Sequence, residues 1–233
     1  MTINLTFLCA PGGDPTLDPL LGDAPLSRRS LNMVGAAGAA LAPRGSAVRA
    51  PSLRCSQTAD ALGLVAVSEP ELRDLDLGTW RGRTVDDVAV TDPDGFTAWL
   101  TDPDAAPHDG ESVRRLCHRT ADWLSSMAPG TSHTVAITEA AVIRAALIHA
   151  LAVPARAFWH LAVPPLSAVS LTWRDGCWDV RLGYLSPQGA PALVPLLRSG
   201  TPARAQSAQS ASAHPSGGKR SSFSRETIFA SSR

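Results

Sequence analysis

The chain has almost no lysine and no excess charge of either sign. Lys219 is the single lysine among 21 basic residues, and 21 acidic residues balance them. This preference for arginine is typical of a GC-rich genome, whereas a nucleic-acid-binding domain carries a basic excess on the surface that meets phosphates. We therefore do not expect nucleic acid as a partner.

Long apolar runs and paired cysteines are also missing. No window approaches the ~18 consecutive apolar residues of a membrane span, and the apolar start INLTFLCA is too short and lacks the basic flank of a signal peptide. We expect a cytoplasmic protein without a membrane partner. The four cysteines are scattered, with no CxxC pair and no histidine at metal-ligand spacing, so we predict reduced thiols and no metal, cofactor or disulfide framework.

What is present suffices for one domain and a tail. A chain of 233 residues with 44% apolar content can bury one good core, which we place in residues 1–198. Residues 199–233 hold five basic residues and one acidic residue in a background of Ser, Ala, Gly and Pro. Such a segment cannot bury enough apolar area to offset chain entropy, so it is predicted to be disordered, with a basic interaction tail as the alternative.

Strand-like and helical segments alternate along the domain. The predicted strands are 3–9, 46–50, 64–69 and 133–138, followed by a hairpin of 168–173 and 177–182; the predicted helices are 27–42, 51–63, 83–101, 110–128 and 140–152. This order predicts a three-layer α/β fold with a mostly parallel sheet and an antiparallel edge. Ligands of such sheets bind beyond the carboxyl ends of the strands, where Cys9–Gly13, Ala50–Arg54 and Thr138–Glu139 are expected.

Four segments, in order, resemble motifs of one family. PSLRCSQTA (51–59) resembles the SPLxRAxxTA segment of the histidine phosphatase superfamily, which has the phosphoglycerate mutase-like fold, and LRDLDLGTWRG (72–82) resembles its LRExxxGxWxG segment. DGES (109–112) and AITEAAVIRAAL (136–147) resemble its later GES and VSHGGVIR segments. The resemblance spans roughly residues 3–185 and implies the fold of that superfamily.

The resemblance also implies a chemistry. Members of the superfamily transfer a phosphoryl group to a histidine of an RHG motif after the first strand. Two arginines and a second histidine bind the phosphate, and an acidic residue protonates the leaving oxygen. Such a site needs concentrated positive charge around a dianion and a neutral imidazole in line with the phosphorus.

This sequence departs from that pattern at both histidines. The RHG positions fall on Cys9-Ala10-Pro11 or, with a shift of one residue, on Ala10-Pro11-Gly12. The second histidine falls on Glu139, and the two glycines that follow it are replaced by Ala140 and Ala141. We therefore predict Cys9, Ala10 and Pro11 as ligand-binding positions of a degenerate site, and Glu139 as a degenerate catalytic residue at a former phosphate-binding position.

Two groups of the implied pocket are retained. Arg54 stands at a phosphate-binding position, and Asp74, or alternatively Asp76, stands at the position of the acid. A charge contact at ~4 Å is worth roughly 1 kcal/mol in water and ~4 kcal/mol at an effective dielectric of 20, so a carboxylate in place of a histidine weakens phosphate binding strongly. We expect Glu139 to pair with Arg54 and to leave the pocket nearly neutral.

Other residues with reactive or charged side chains are interpreted as structural. His108 precedes DGES on a loop and is predicted to be solvated, with a catalytic role as the alternative; Cys9 is predicted to be a buried thiol rather than a nucleophile. Arg144 is predicted to form a surface ion pair, and Trp80 to border the cleft. The functional prediction is an inactive or impaired pseudoenzyme that binds a small phosphorylated ligand or a protein partner. The alternative is an active phosphomonoesterase that uses non-standard groups.

Overall fold

A computed structural model describes residues 2–12, 22–38, 45–128, 130, 133–184 and 194–196. Within these ranges seven strands form one sheet: β1 (Ile3–Cys9), β2 (Gly45–Arg49), β3 (Val67–Ser68), β4 (His133–Thr138), β5 (Ser167–Arg174), β6 (Cys177–Tyr184) and β7 (Val194–Leu196). The order across the sheet is β3-β2-β4-β1-β5-β6-β7. The tail predicted at 199–233 lies outside the described residues.

The sheet has the mixed character that the sequence predicts. Strands β3, β2, β4 and β1 run parallel, whereas β5, β6 and β7 form an antiparallel edge beside β1. In the register, Cys9 lies opposite Thr138 and Arg49 lies opposite Ile137. The carboxyl ends of β1, β2 and β4 therefore meet at one edge of the sheet, where the segments that follow them come together.

The described ranges contain six α-helices: α1 (Arg28–Gly38), α2 (Leu53–Ala61), α3 (Val85–Thr91), α4 (Pro93–Thr101), α5 (Val113–Ser126) and α6 (Ala140–Leu151). Helix α1 packs against α2, and α5 packs against α6. Helices α1 and α2 connect parallel strands in the order β1, β2, β3, whereas α5 lies in the connection that returns from β3 to β4. Because crossovers between parallel strands are right-handed, α1 and α2 lie on one face and α5, with α6 packed against it, lies on the other. The three-layer α/β prediction is thereby confirmed. None of these helices is long and apolar enough to span a membrane.

Two predicted elements differ from the structure. The single helix expected at 83–101 is divided into α3 and α4, because the side chain of Asp92 accepts a hydrogen bond from the Gly95 amide at 3.0 Å and Pro93 then begins a new helix. The strand expected at 64–69 is shortened to the two residues of β3, whose side chains are exposed at the edge of the sheet. Apolar composition alone did not show that this segment lacks a second neighbouring strand.

The hairpin of β5 and β6 forms as predicted. Its turn residues Asp175 and Gly176 have φ values of 53° and 83°, the left-handed conformation that a two-residue hairpin loop requires. Strand β5 pairs with the central strand β1 along its length, so the hairpin extends the sheet on that side of β1. It also places the segment before β5 against the end of β1, where the Leu166 amide donates to the Cys9 carbonyl at 3.0 Å.

Candidate active site

A cleft of about 210 Å³ opens at the edge where the carboxyl ends of the parallel strands meet. Four of the segments that contribute side chains to it are the segment after β1, the first turn of α2, the loop after β3, and the β4–α6 junction. Its polar lining consists of Cys9, Arg54, Asp74, Glu139 and Arg144. None of the described residues that line this cleft is a histidine.

The segment after β1 forms one wall of the cleft. Backbone bonds hold it in place, because the Ala10 amide donates to the Thr138 carbonyl at 2.9 Å. Cys9 and Ala10 line the cleft and are buried, Gly12 also lines it, and Pro11 is buried outside the lining. Burial, reinforced by the charge of Glu139, raises the pKa of the Cys9 thiol to about 12. This thiol therefore stays protonated near neutral pH, in agreement with the sequence-based interpretation.

Arg54 lies in the first turn of α2, where a carboxylate from an earlier loop holds it. The Asp23 carboxylate accepts hydrogen bonds from the Leu53 amide at 2.7 Å and the Arg54 amide at 3.3 Å. It also lies 3.6 Å from Arg54 Nε, whose side chain is only 13% exposed. Asp23 thus satisfies two free amides in the first turn of α2, which Ser52 caps, and also lies beside the Arg54 guanidinium. No signal in the sequence pointed to Asp23, because the contact joins two segments about 30 residues apart.

Glu139 is the most deeply buried acid of the cleft, with 5% exposure. Its Oε1 accepts hydrogen bonds from Ser52 Oγ at 2.5 Å and Cys55 Sγ at 3.5 Å. Thr138 Oγ1 lies 3.4 Å from Oε2 and donates its own proton to the Leu72 carbonyl at 2.8 Å. Because the Thr138 proton is directed to the Leu72 carbonyl, this longer contact adds little stabilisation to a negative charge on Oε2.

The electrostatic surroundings of Glu139 act in the same direction. Burial, and next the charge of Asp74, raise its pKa from 4.5 to about 7. The bond from Ser52 and the charge of Arg54 lower the pKa by less than this. The ion pair that the structure assigns to Arg54 is with Asp23, so a direct Arg54–Glu139 pair stays a prediction.

Of the two candidate acids on the loop after β3, Asp74 is the one that lines the cleft. The protein atoms packed around its carboxyl group raise the pKa of Asp74, although the residue as a whole is exposed to solvent. Asp76 instead accepts a hydrogen bond from the Gly78 amide at 2.9 Å and pairs with Arg81 at 2.9 Å. These contacts lower the pKa of Asp76. Asp76 therefore stabilises the loop and does not line the cleft.

A buried ion pair holds the Asp74 loop in position. Arg119 on α5 binds both carboxylate oxygens of Glu111, at 2.9 and 2.7 Å, and also donates to the backbone carbonyls of Glu71 and Arg73. Close to this pair, a Cβ atom on Gly110 would lie 2.1 Å from the Asp76 carbonyl oxygen. Only glycine therefore allows the DGES segment to approach the Asp76 backbone this closely. The DGES segment thereby fixes where Asp74 enters the cleft.

Arg144 is not the surface ion pair that the sequence predicted. It lines the cleft, its Nε donates to the Leu161 carbonyl at 2.8 Å, and its guanidinium carbon lies 5.7 Å from the Phe158 ring and 5.8 Å from the Trp159 ring. The prediction was wrong because the helical periodicity of α6 did not reveal that residues 155–165 fold back over its first turns. Burial lowers the pKa of Arg144.

His108 is neither solvated nor catalytic in position. Its side chain is fully buried, its ring lies 5.1 Å from that of Trp80, and its Nδ1 accepts a hydrogen bond from the Gly110 amide at 3.1 Å. Burial lowers its pKa, so the neutral form predominates. His108 therefore supports the DGES loop. The cleft is bordered by Trp99 and Trp159 rather than by Trp80.

The cysteines and other potential ligands form no metal centre. All four cysteines are free thiols, three of them buried and Cys177 partly exposed. In the part of the chain that the structure describes, no group of His, Cys, Asp and Glu side chains is arranged to hold a metal ion. The cleft is lined by two arginines, two carboxyl groups and the Cys9 thiol, and the hydroxyl group of Ser52 lies behind the lining, bonded to Glu139.

The sequence is similar to those of several known proteins. A bifunctional protein of Mycobacterium tuberculosis is 30% identical over 179 residues, which cover 70% of this chain and 49% of that protein. An adenosylcobalamin/alpha-ribazole phosphatase of Salmonella typhimurium is 25% identical over 113 residues, covering 47% of this chain and 51% of the relative. The chain thus spans about half the length of the curated relatives that it matches.

Solved structures and a family model agree on the fold. The crystal structure of the alpha-ribazole phosphatase from Shigella flexneri superposes with a TM-score of 0.70 at 18% identity, covering 81% of this chain and 98% of that one. The model of the histidine phosphatase superfamily (branch 1) matches residues 21–184. The matched region covers well over half of this chain, so the chain belongs to the histidine phosphatase superfamily, branch 1.

Proposed function

We propose that this protein is a pseudoenzyme of its superfamily, inactive or impaired in phosphoryl transfer through a histidine, whose cleft binds a small phosphorylated ligand. The observation that carries the proposal is the composition of the cleft. The wall after β1 presents Cys9 and Ala10, and the β4–α6 junction presents Glu139. Residues 13–21, which follow Gly12 and lie outside the described residues, contain no histidine in their sequence either.

The remaining groups do not replace an attacking imidazole. Burial raises the pKa of the Cys9 thiol to about 12, so the thiol is protonated at pH 7 and is a poor nucleophile. Glu139 carries a negative charge above pH 7, which repels an incoming phosphate. Arg54 and Arg144 still supply positive charge, and the balance supports binding of an anion rather than its cleavage.

An active phosphomonoesterase is the second candidate, and one contact favours it. Ser52 Oγ lies 2.5 Å from Glu139 Oε1, and a carboxyl group with a pKa of about 7 is suited to act as a general base for a hydroxyl nucleophile. Against it, Ser52 lies outside the cleft lining and its Oγ already accepts the Cys55 amide as the cap of α2. We therefore favour the binding function.

Hydrolysis of a generic phosphomonoester separates the two candidates. We expect the purified full chain to release no phosphate from 4-nitrophenyl phosphate above background, and we expect no phosphohistidine after incubation and mass spectrometry. Turnover that disappears in Arg54→Ala would overturn the proposal. If that turnover also disappeared in Ser52→Ala, it would identify the serine route.

Ligand binding is tested by thermal unfolding in the presence of phosphate, sugar phosphates and nucleotides. A ligand at ~100 times its Kd adds about 2.7 kcal/mol to stability, which moves the unfolding midpoint measurably. No shift with any of these compounds contradicts a phosphate-binding cleft. Replacing Glu139 with histidine is expected to strengthen binding only in part, because the wall after β1 still lacks its histidine.

A further inference from the structure

One half of the cleft is aromatic, a feature that phosphate binding alone does not require. The rings of Trp99 and Trp159 lie 4.3 Å apart at 63°, and those of Phe158 and Trp159 lie 4.8 Å apart at 85°. The Trp159 indole also donates to the backbone carbonyl of Trp99 at 3.2 Å, which fixes the Trp159 ring. The apolar lining of the cleft also includes Leu75, Leu77, Val163 and Pro165. A rigid aromatic wall of this kind favours a flat apolar group.

Arg144 stands between the aromatic half and the polar half. Its guanidinium faces the Phe158 and Trp159 rings, and Nε is occupied by the Leu161 carbonyl. Among the described residues no carboxylate forms an ion pair with Arg144, whereas Arg54 pairs with Asp23. The terminal nitrogens of Arg144 are thus available to an anion in the cleft. A partly buried cation gains most from such a partner, because it has already lost much of its hydration.

We propose that the ligand of this cleft is a small aromatic anion, whose ring lies against Trp99 and Trp159 and whose anionic group pairs with Arg144. This inference rests on the proposed function, since it names the chemical class of the ligand for the same cleft. The volume agrees, because a cavity of about 150 Å³ holds benzene and the cleft of about 210 Å³ leaves room for a small anionic group beside the ring. Arg144 is then a ligand-binding residue that determines specificity.

The test compares two phosphonates that carry the same anionic group and differ in the organic substituent on phosphorus. Isothermal titration of the full chain with phenylphosphonate and methylphosphonate is expected to give a Kd for the phenyl compound at least about tenfold lower. Arg144→Met, which keeps much of the side-chain volume, is expected to weaken phenylphosphonate about tenfold or more. The exposed Arg115 on α5 provides the matched control, Arg115→Met, which is expected to leave both affinities unchanged.

A second variant keeps the test decisive if Arg144→Met does not fold. Trp159→Leu removes the ring and leaves Arg144 in place, so we expect it to abolish the preference for the phenyl compound while methylphosphonate binding persists. Equal affinities of the two phosphonates for the wild-type chain overturn the inference, as does a folded Arg144→Met variant with unchanged affinity. If the two compounds bind equally and Arg54→Ala abolishes both, the phosphate-binding cleft stands and only the aromatic inference fails.

Discussion

Replacing Glu139 with glutamine is expected to stabilise the protein at pH 8. The pKa of Glu139 is raised from 4.5 in the unfolded chain to about 7 in the fold, so the native state binds the proton more tightly. Stability from this group is complete below pH 4.5 and is lost as the pH rises to 7. At about 1.4 kcal/mol per unit over about 2.5 units, the ionised acid costs about 3 kcal/mol at pH 8.

Glutamine fits the contacts of the protonated acid. Its carbonyl oxygen can accept the bonds from Ser52 and Cys55, and its amide nitrogen can donate to Thr138 Oγ1, which cannot itself donate to the 139 side chain while it bonds the Leu72 carbonyl. The stability gap between the variant and wild type should therefore widen by about 2–3 kcal/mol between pH 5 and pH 8.

Urea unfolding of both proteins at pH 5, 6, 7 and 8 measures this gap directly. Glu71→Gln is the matched control, because Glu71 is exposed and its ion pair with Arg73 lies on the surface. The difference in unfolding free energy between Glu71→Gln and wild type is expected to stay small from pH 5 to pH 8. A gap for Glu139→Gln that does not change with pH, or a variant less stable than wild type at pH 8, would show that a cation compensates the buried carboxylate and would refute the reasoning.

Three further predictions concern the support of the cleft. Arg119→Ala leaves the buried Glu111 carboxylate without its partner and is expected to cost about 3–5 kcal/mol in urea unfolding. Gly110→Ala places a methyl group against the Asp76 carbonyl and is expected to cost about 1–3 kcal/mol, measured as a lower urea midpoint with an unchanged slope. Cys9 is expected to resist iodoacetamide at pH 8 in the native protein and to react after unfolding, as followed by mass spectrometry, because its pKa is about 12.

The polar lining of the cleft illustrates how far motif spacing reaches. Arg54, Asp74 and Glu139 were predicted from their positions in motifs that resemble those of the superfamily, and all three line the same cleft. The spacing succeeded because Arg54 and Glu139 stand at the starts of helices that follow parallel strands, Asp74 lies on the loop after β3, and the ends of parallel strands share one edge. Their assignment to ligand binding or catalysis stays a prediction.

Arg144 and His108 show where the spacing failed. Both interpretations assumed that a residue on a helix or loop faces water unless periodicity turns it inward. In the fold, residues 155–165 cover Arg144, and Trp80 with the DGES loop encloses His108. Such coverage comes from segments distant in the chain, whose approach leaves no periodic pattern in either partner.

The alternation of apolar segments with turn and capping residues was enough to specify a three-layer α/β fold, because strand and helix periods are local properties of the chain. The ionisation of Glu139, the assignment of Arg54 to Asp23 and the aromatic half of the cleft emerged only when distant segments packed together. Burial and charge–charge distance set those properties, and both depend on which atoms surround a group in space rather than on its neighbours along the chain.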